Sequence, residues 1–168
     1  MPDFFDWLAS LPEAHPELRL GLLGGLLLAA LLGGAIGWER AYSGKPAGLR
    51  TNILICMAAT LLTDLSVLAA ASSAAGDPGR IAAQIVTGVG FLGAGTIIQS
   101  RGNVTGLTTA ATLWIVSAIG MAIGFGAWVE AVGTTLLVLV ALVPLRRVER
   151  VAQLRPDDDD SPAEPTSP

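Results

Sequence analysis

The chain has 168 residues, of which 52% are hydrophobic and 14% charged, against roughly 25% charged in ordinary soluble domains. Ten Lys and Arg against fourteen Asp and Glu leave a net charge of −4, so no basic surface is offered to a nucleic acid. A disordered tail protein, a nucleic-acid binder and an ordinary soluble enzyme domain are excluded, while twenty Gly and few aromatics fit closely packed membrane helices.

Residues 1–19 carry Asp3, Asp6, Glu13 and Glu17 against one Arg19, the reverse of the basic start of a cleavable signal peptide. They are expected to form an extracytoplasmic segment. Phe4, Phe5, Trp7, Leu8 and Leu11 suit either a short interfacial helix or a frayed end.

From residue 20 onward, charges punctuate the chain instead of patterning it. A bilayer-spanning helix needs about 20 mostly apolar residues, and a soluble bundle would show a polar face on each helix. The uncharged stretches predict five spans, roughly Leu20–Trp38, Gly48–Ala71, Ile81–Ile98, Gly106–Phe125 and Trp128–Leu145. The boundary at Gly124–Glu130 is the least defined. The expected fold is an all-α membrane protein, with residues 20–145 forming a bundle of five transmembrane helices.

Orientation follows from Lys and Arg. With the N-terminus outside, eight basic residues fall on inner segments and two on outer ones, so the positive-inside rule gives N-terminus outside and C-terminus cytoplasmic. Residues 146–168 begin with a basic juxtamembrane stretch, RRVERVAQLR, suited to anionic headgroups. The acidic, Pro-rich PDDDDSPAEPTSP that follows is expected to be disordered, without the preorganised cage a divalent cation needs.

Cys56 and His15 each occur alone. This removes an intramolecular disulfide, CxxC redox pairs and zinc chemistry, and leaves a Ser–His–Asp arrangement dependent on a histidine near the chain end. No cofactor, metal or enzymatic activity is expected. Gly88-Val-Gly90-Phe-Leu-Gly93 matches G-x-G-x-x-G only formally, because no βαβ unit surrounds it. Gly88, Gly90, Gly93 and Gly95 point to close helix packing, or to a broken third helix lining a polar cavity. Gly21, Gly25, Ala29, Gly33 and Gly37 recur every four residues on the first span, and Gly120 and Gly124 repeat the device on the fourth. Such a face serves the chain's own bundle or a second copy, which makes a homodimer an expectation.

Polar groups at membrane depth carry a desolvation cost that makes each a functional candidate. The inner group holds Glu39, Arg40, Lys45, Arg50 and Asn52, joined from the third loop by Arg101, Asn103, Thr105, Thr108 and Thr109. The outer group holds Asp77, Arg80 and Gln84. Asp64, about 21 Å along a helix from Arg50, is expected to approach Arg80 or Gln84. Asp77-Pro78 also reads as a helix cap followed by Pro in the first turn.

KPAGLRTNILICMAAT, DPGRIAAQIVTGVGFLGAGTII and GLTTAATLWIVSAIGMAIG, with the Glu39-Arg40 pair before them, resemble the MgtC/SapB family of bacterial inner-membrane proteins. The resemblance runs from about Gly33 to Ala131, in the same order and spacing. It implies a multi-pass plasma-membrane protein linked to growth under magnesium limitation and to stress adaptation. It also implies a non-enzymatic protein that modulates a membrane partner such as the ATP synthase; the alternative is a transporter or channel for magnesium or another cation. By motif match it singles out Glu39, Gly48, Arg50, Thr51 and Asn52, then Asp77, Arg80, Gln84, Gly90, Gly93 and Gly95. In the last block it singles out Gly106, Thr108, Thr109 and Trp114. The chain departs from the family pattern in having Asp64 at a usually apolar position, and in ending without the folded cytoplasmic domain of larger members.

Overall fold

The computed structural model describes residues 16–72, 76–100 and 103–153, and the side chains of 21–72, 76–99 and 104–143. The expected interfacial helix around Trp7, His15 and the acidic tail lie outside these residues. The described chain forms five helices, α1 (Pro16–Tyr42), α2 (Leu49–Ala71), α3 (Gly79–Ala94), α4 (Leu107–Gly124) and α5 (Trp128–Gln153). Three stretches are long and apolar enough to cross a membrane, Gly21–Tyr42, Leu49–Ala71 and Leu107–Gly124. The apolar part of α5, Trp128–Val143, is shorter.

Two elements depart from the expected all-α bundle. The third helix, expected to reach Ile98, stops at Ala94. Gly95 and Thr96 close its last turn, with Thr96 N–H bonding to the Gly93 carbonyl at 3.0 Å and Thr96 Oγ1 donating to the same oxygen at 2.7 Å. The chain then forms a hairpin. β1 (Ile98–Ser100) pairs antiparallel with β2 (Asn103–Thr105), Ile98 opposite Thr105 and Ser100 opposite Asn103. That register leaves two connecting positions, the second of them Gly102, a spacing typical of short hairpins. Beyond the apolar part, α5 continues into the basic stretch as far as Gln153.

α2 is the central helix, with α1 on one side and α4 on the other. In lipid there is little hydrophobic gain from joining helices, so association depends on close contact and interhelical hydrogen bonds. The glycines supply the contact. A Cβ on Gly33 would lie 2.7 Å from the Asn52 carbonyl oxygen and 2.8 Å from Cys56 Cβ. One on Gly37 would lie 2.7 Å from Leu49 Cα. From the other side, a Cβ on Gly124 would lie 2.6 Å from Thr63 Cβ, and Gly120 abuts the Cys56 carbonyl. Thr60 Oγ1 is 2.9 Å from the Gly120 carbonyl and 3.0 Å from that of Cys56, sharing its single proton across the interface. Ile36, Cys56, Val116 and Ile119 fill the core between these helices.

From Gly25 to Gly37 the small-residue stripe of α1 is thus occupied within the chain. Gly25 faces Ile123 and Thr60, Ala29 is fully buried, and Gly33 and Gly37 face α2, while Gly21 is open. The face that made a homodimer an expectation is covered by the chain's own helices.

α3 is an unbroken helix that leans on α2 and α4 through Ile85, Val89 and Gly93. Gly93 meets Ala110 at ordinary contact distance, whereas Gly88 and Gly90 face open space. The N-terminal end of α3 is tied to α2 by Ser66, whose hydroxyl donates to the Pro78 carbonyl at 2.6 Å and accepts from Ile81 N–H at 3.3 Å.

Between β2 and α4 the backbone of Gly106 takes φ +90°, a conformation costly for any residue with a Cβ. A Cβ there would also collide with the Thr96 carbonyl. Gly106→Ala is expected to lower thermal stability in detergent by about 2 kcal/mol, from backbone strain of roughly 1–3 kcal/mol plus the displaced contact. Unfolding followed by circular dichroism measures it.

Candidate functional site

Glu39, Arg40, Lys45, Thr105, Thr108 and Thr109 of the inner group meet where α1 ends, α4 begins and the hairpin packs, while Arg101 and the side chain of Asn103 lie outside the described residues. α1 stops in a Schellman motif, with Lys45 N–H bonding to the Arg40 carbonyl and Gly44 N–H to that of Ala41, both at 3.0 Å, and Gly44 at φ +63°. This turn brings Lys45 back beside Arg40. Asn52 fastens the next residues, its Nδ2 donating to the Ala47 carbonyl at 2.6 Å and the Gly48 carbonyl at 2.9 Å. Ala47 accordingly holds φ +54° without being glycine.

These elements enclose a cavity of about 670 Å³. Its polar wall includes Glu39, Arg40, Ser43, Lys45, Thr105, Thr108 and Thr109; its apolar wall includes Ile98 and Val104 from the hairpin and Ala141 and Leu142 from α5. Arg40 is 2% exposed, and its Nη2 donates to Thr109 Oγ1 at 2.6 Å. Its Nε is buried with no partner among the described residues. Glu39 Oε1 accepts from Ser43 Oγ at 2.6 Å, and Glu39 Oε2 is buried without a described partner. No side chain caps the N-terminus of α4, which opens onto the same space.

Other sequence candidates are elsewhere. Arg50 is exposed and does not line the cavity. Asn52 is buried behind it, engaged with the turn, and Trp114 lies half exposed on the outside of α4. At the opposite end, Asp77 Oδ1 accepts the Gly79 N–H at 2.8 Å, a cap for α3. Arg80 is exposed beside a pocket that also touches Ser66 and Asp77. Gln84 borders an apolar groove between α2 and α3.

Asp64 does not approach Arg80 or Gln84 as expected. It lines a separate pocket of about 150 Å³ with Gly21, Gly25, Thr60, Gly124 and Trp128. The reason is helical phase. Ser66 already points at α3, and a residue two positions away on a helix lies about 200° around, on the side facing α1 and α4. No group of three or more His, Cys, Asp or Glu able to hold a metal occurs among the described residues.

Comparison with known proteins gives these features a family. The sequence model of the MgtC family matches residues 26–151, well over half of the chain. The chain belongs to the MgtC family. Protein MgtC of Salmonella typhimurium (strain LT2) is 45% identical over 130 residues, covering 77% of this chain and 54% of that protein. YhiD of Escherichia coli K12, whose name describes it as a candidate magnesium transporter, is 47% identical over 122 residues, covering 70% of this chain and 57% of that one. Protein SrpB of Synechococcus elongatus is 41% identical over 147 residues, 81% of each chain. The chain therefore spans about half the length of the MgtC and YhiD relatives. No solved structure matches it.

The MgtC-family match encloses every residue that lines the cavity. With the three long apolar helices, it makes this a membrane protein. Sequence reasoning had grouped Glu39, Arg40, Lys45, Thr105, Thr108 and Thr109 on one side. It missed Ser43, whose i, i+4 spacing from Glu39 was the available signal. It also missed the hairpin and α5 as walls of the site.

Proposed function

We propose that this MgtC-family protein crosses the bacterial inner membrane five times, N-terminus outside and C-terminus cytoplasmic, and supports magnesium homeostasis or stress adaptation without enzymatic chemistry. It does so by modulating a membrane partner through the cavity at its cytoplasmic end. The observation that supports this reading is that the charged cavity and the Asp64 pocket share no lining residue. Along the chain, Ile36, Cys56, Val116 and Ile119 fall between the residues that line one pocket and those that line the other, and each is no more than 1% exposed. Magnesium gives up water reluctantly and favours carboxylates, and Glu39 and Asp64 sit in different pockets at the two ends of the bundle.

Purified protein in liposomes holding a magnesium dye tests the reading. The expected result is no magnesium entry above that of empty vesicles, together with rescue of growth at low magnesium by the same chain in cells. Entry that disappears in Asp64→Asn would instead favour a cation transporter, with Asp64 in its path.

A further inference from the structure

The cavity has an electrostatic character that modulation of a partner does not by itself require. Three features of positive sign converge on it. The first is Arg40, 2% exposed, with Nε buried and unpartnered among the described residues. The second is Lys45, folded back by the Schellman turn. The third is the uncapped N-terminus of α4, an 18-residue helix whose first N–H groups lack intrahelical acceptors. Helix N-termini favour anions, and guanidinium favours phosphate because its donors match two oxygens at once. Glu39 opposes them, but Ser43 holds one of its oxygens. Thr109 Oγ1 accepts from Arg40 and so keeps its own proton to donate.

The surroundings fit a headgroup at the membrane surface. Trp38 and Tyr42, 67% and 86% exposed, flank Glu39-Arg40 on the same helix end, and such aromatics gather at the lipid–water boundary. The opposite wall, with Ile98, Val104, Ala141 and Leu142, is apolar.

We propose that the cavity is a phosphate-binding site, taking the phosphate of a lipid headgroup or free orthophosphate, with Arg40, Lys45 and the α4 N-terminus as its donors. This rests on the same cavity as the functional reading above. Binding is measured on isolated protein, however, so its outcome is independent of flux and of growth.

The test uses the full chain purified in neutral detergent. It is titrated with short-chain phosphatidylglycerol, with diacylglycerol of the same chain length, and with sodium orthophosphate against sodium chloride at equal ionic strength. Retained ligand is read by native mass spectrometry and affinity by thermal shift. Saturable binding of phosphatidylglycerol but not diacylglycerol is expected. Arg40→Gln and Lys45→Gln should each weaken it about tenfold or more, the loss of one charged hydrogen bond, while Arg50→Gln leaves it unchanged. Competition by orthophosphate assigns the site to free phosphate; its absence assigns the site to lipid. If Arg40→Gln does not fold, Lys45→Gln at an exposed position decides. No binding of either phosphate, equal binding of diacylglycerol, or binding indifferent to Lys45→Gln overturns the proposal.

Discussion

Gly120→Val is expected to destabilise the bundle by about 3 kcal/mol, the upper part of the usual cost of overpacking, whereas Gly88→Ala leaves its stability unchanged or raises it slightly. Gly120 lies where α4 crosses α2. Any Cβ there meets the Cys56 carbonyl and comes within 2.9 Å of Ala59 Cβ. Both are parts of helices that cannot yield as a flexible side chain would. Moving α4 outward would also stretch the Thr60 bond to the Gly120 carbonyl. Gly88 has nothing within 4 Å, so alanine there brings only better helix propensity, up to about 1 kcal/mol on soluble scales. Unfolding by SDS in mixed micelles, followed by circular dichroism, compares the two. Similar losses at both positions would mean that α4 does not cross α2 at this point.

Arg40→Ala is expected to abolish support of growth at low magnesium in a strain lacking its own family member, with Thr109→Val intermediate and Arg50→Ala retaining most of the activity. Arg40 is the buried cation of the cavity. Removing it leaves Glu39 Oε2 buried in a less positive site and takes away the donor to Thr109. Thr109→Val instead strips the acceptor from a buried guanidinium, a loss of about 1.5–3 kcal/mol for a charged hydrogen bond. Arg50 carries the same charge on the neighbouring helix but is exposed, so it separates charge count from cavity geometry. Quantity in the membrane fraction is measured alongside growth. Equal growth with Arg40→Ala and the unaltered chain would remove the cavity from the protein's role.

The helical segments were readable because hydrocarbon excludes charge, and four of the five helix starts fall within two residues of the expected span edges. The meeting of Arg40 with Thr109 was half readable. Both belong to the inner group by charge and loop order, but which donor meets which acceptor depends on the crossing of α1 and α4 around α2. The same limit explains Asp64. Its depth along α2 follows from counting residues, while its direction depends on Ser66 having been claimed by α3. The hairpin was hidden because Ile97, Ile98 and Val104 are as apolar as a helix interior, and a short apolar run does not distinguish strand from helix end. The glycines divided by partner, not by spacing. Gly33, Gly37, Gly120 and Gly124 touch α2, while Gly88 and Gly90, in an equally dense run, touch nothing among the described residues.

The bond from Arg40 to Thr109 joins residues 69 positions apart. A ribosome adding roughly 5–20 residues per second takes about 3–14 s to make the second partner after the first. Through that interval the nascent first helix must keep its guanidinium hydrated at the membrane surface, since an unpaired charge is costly in hydrocarbon. Biogenesis thus has a built-in sequence of events: the opening hairpin of helices inserts early, and the mouth of the cavity is sealed only when the fourth helix leaves the translocon.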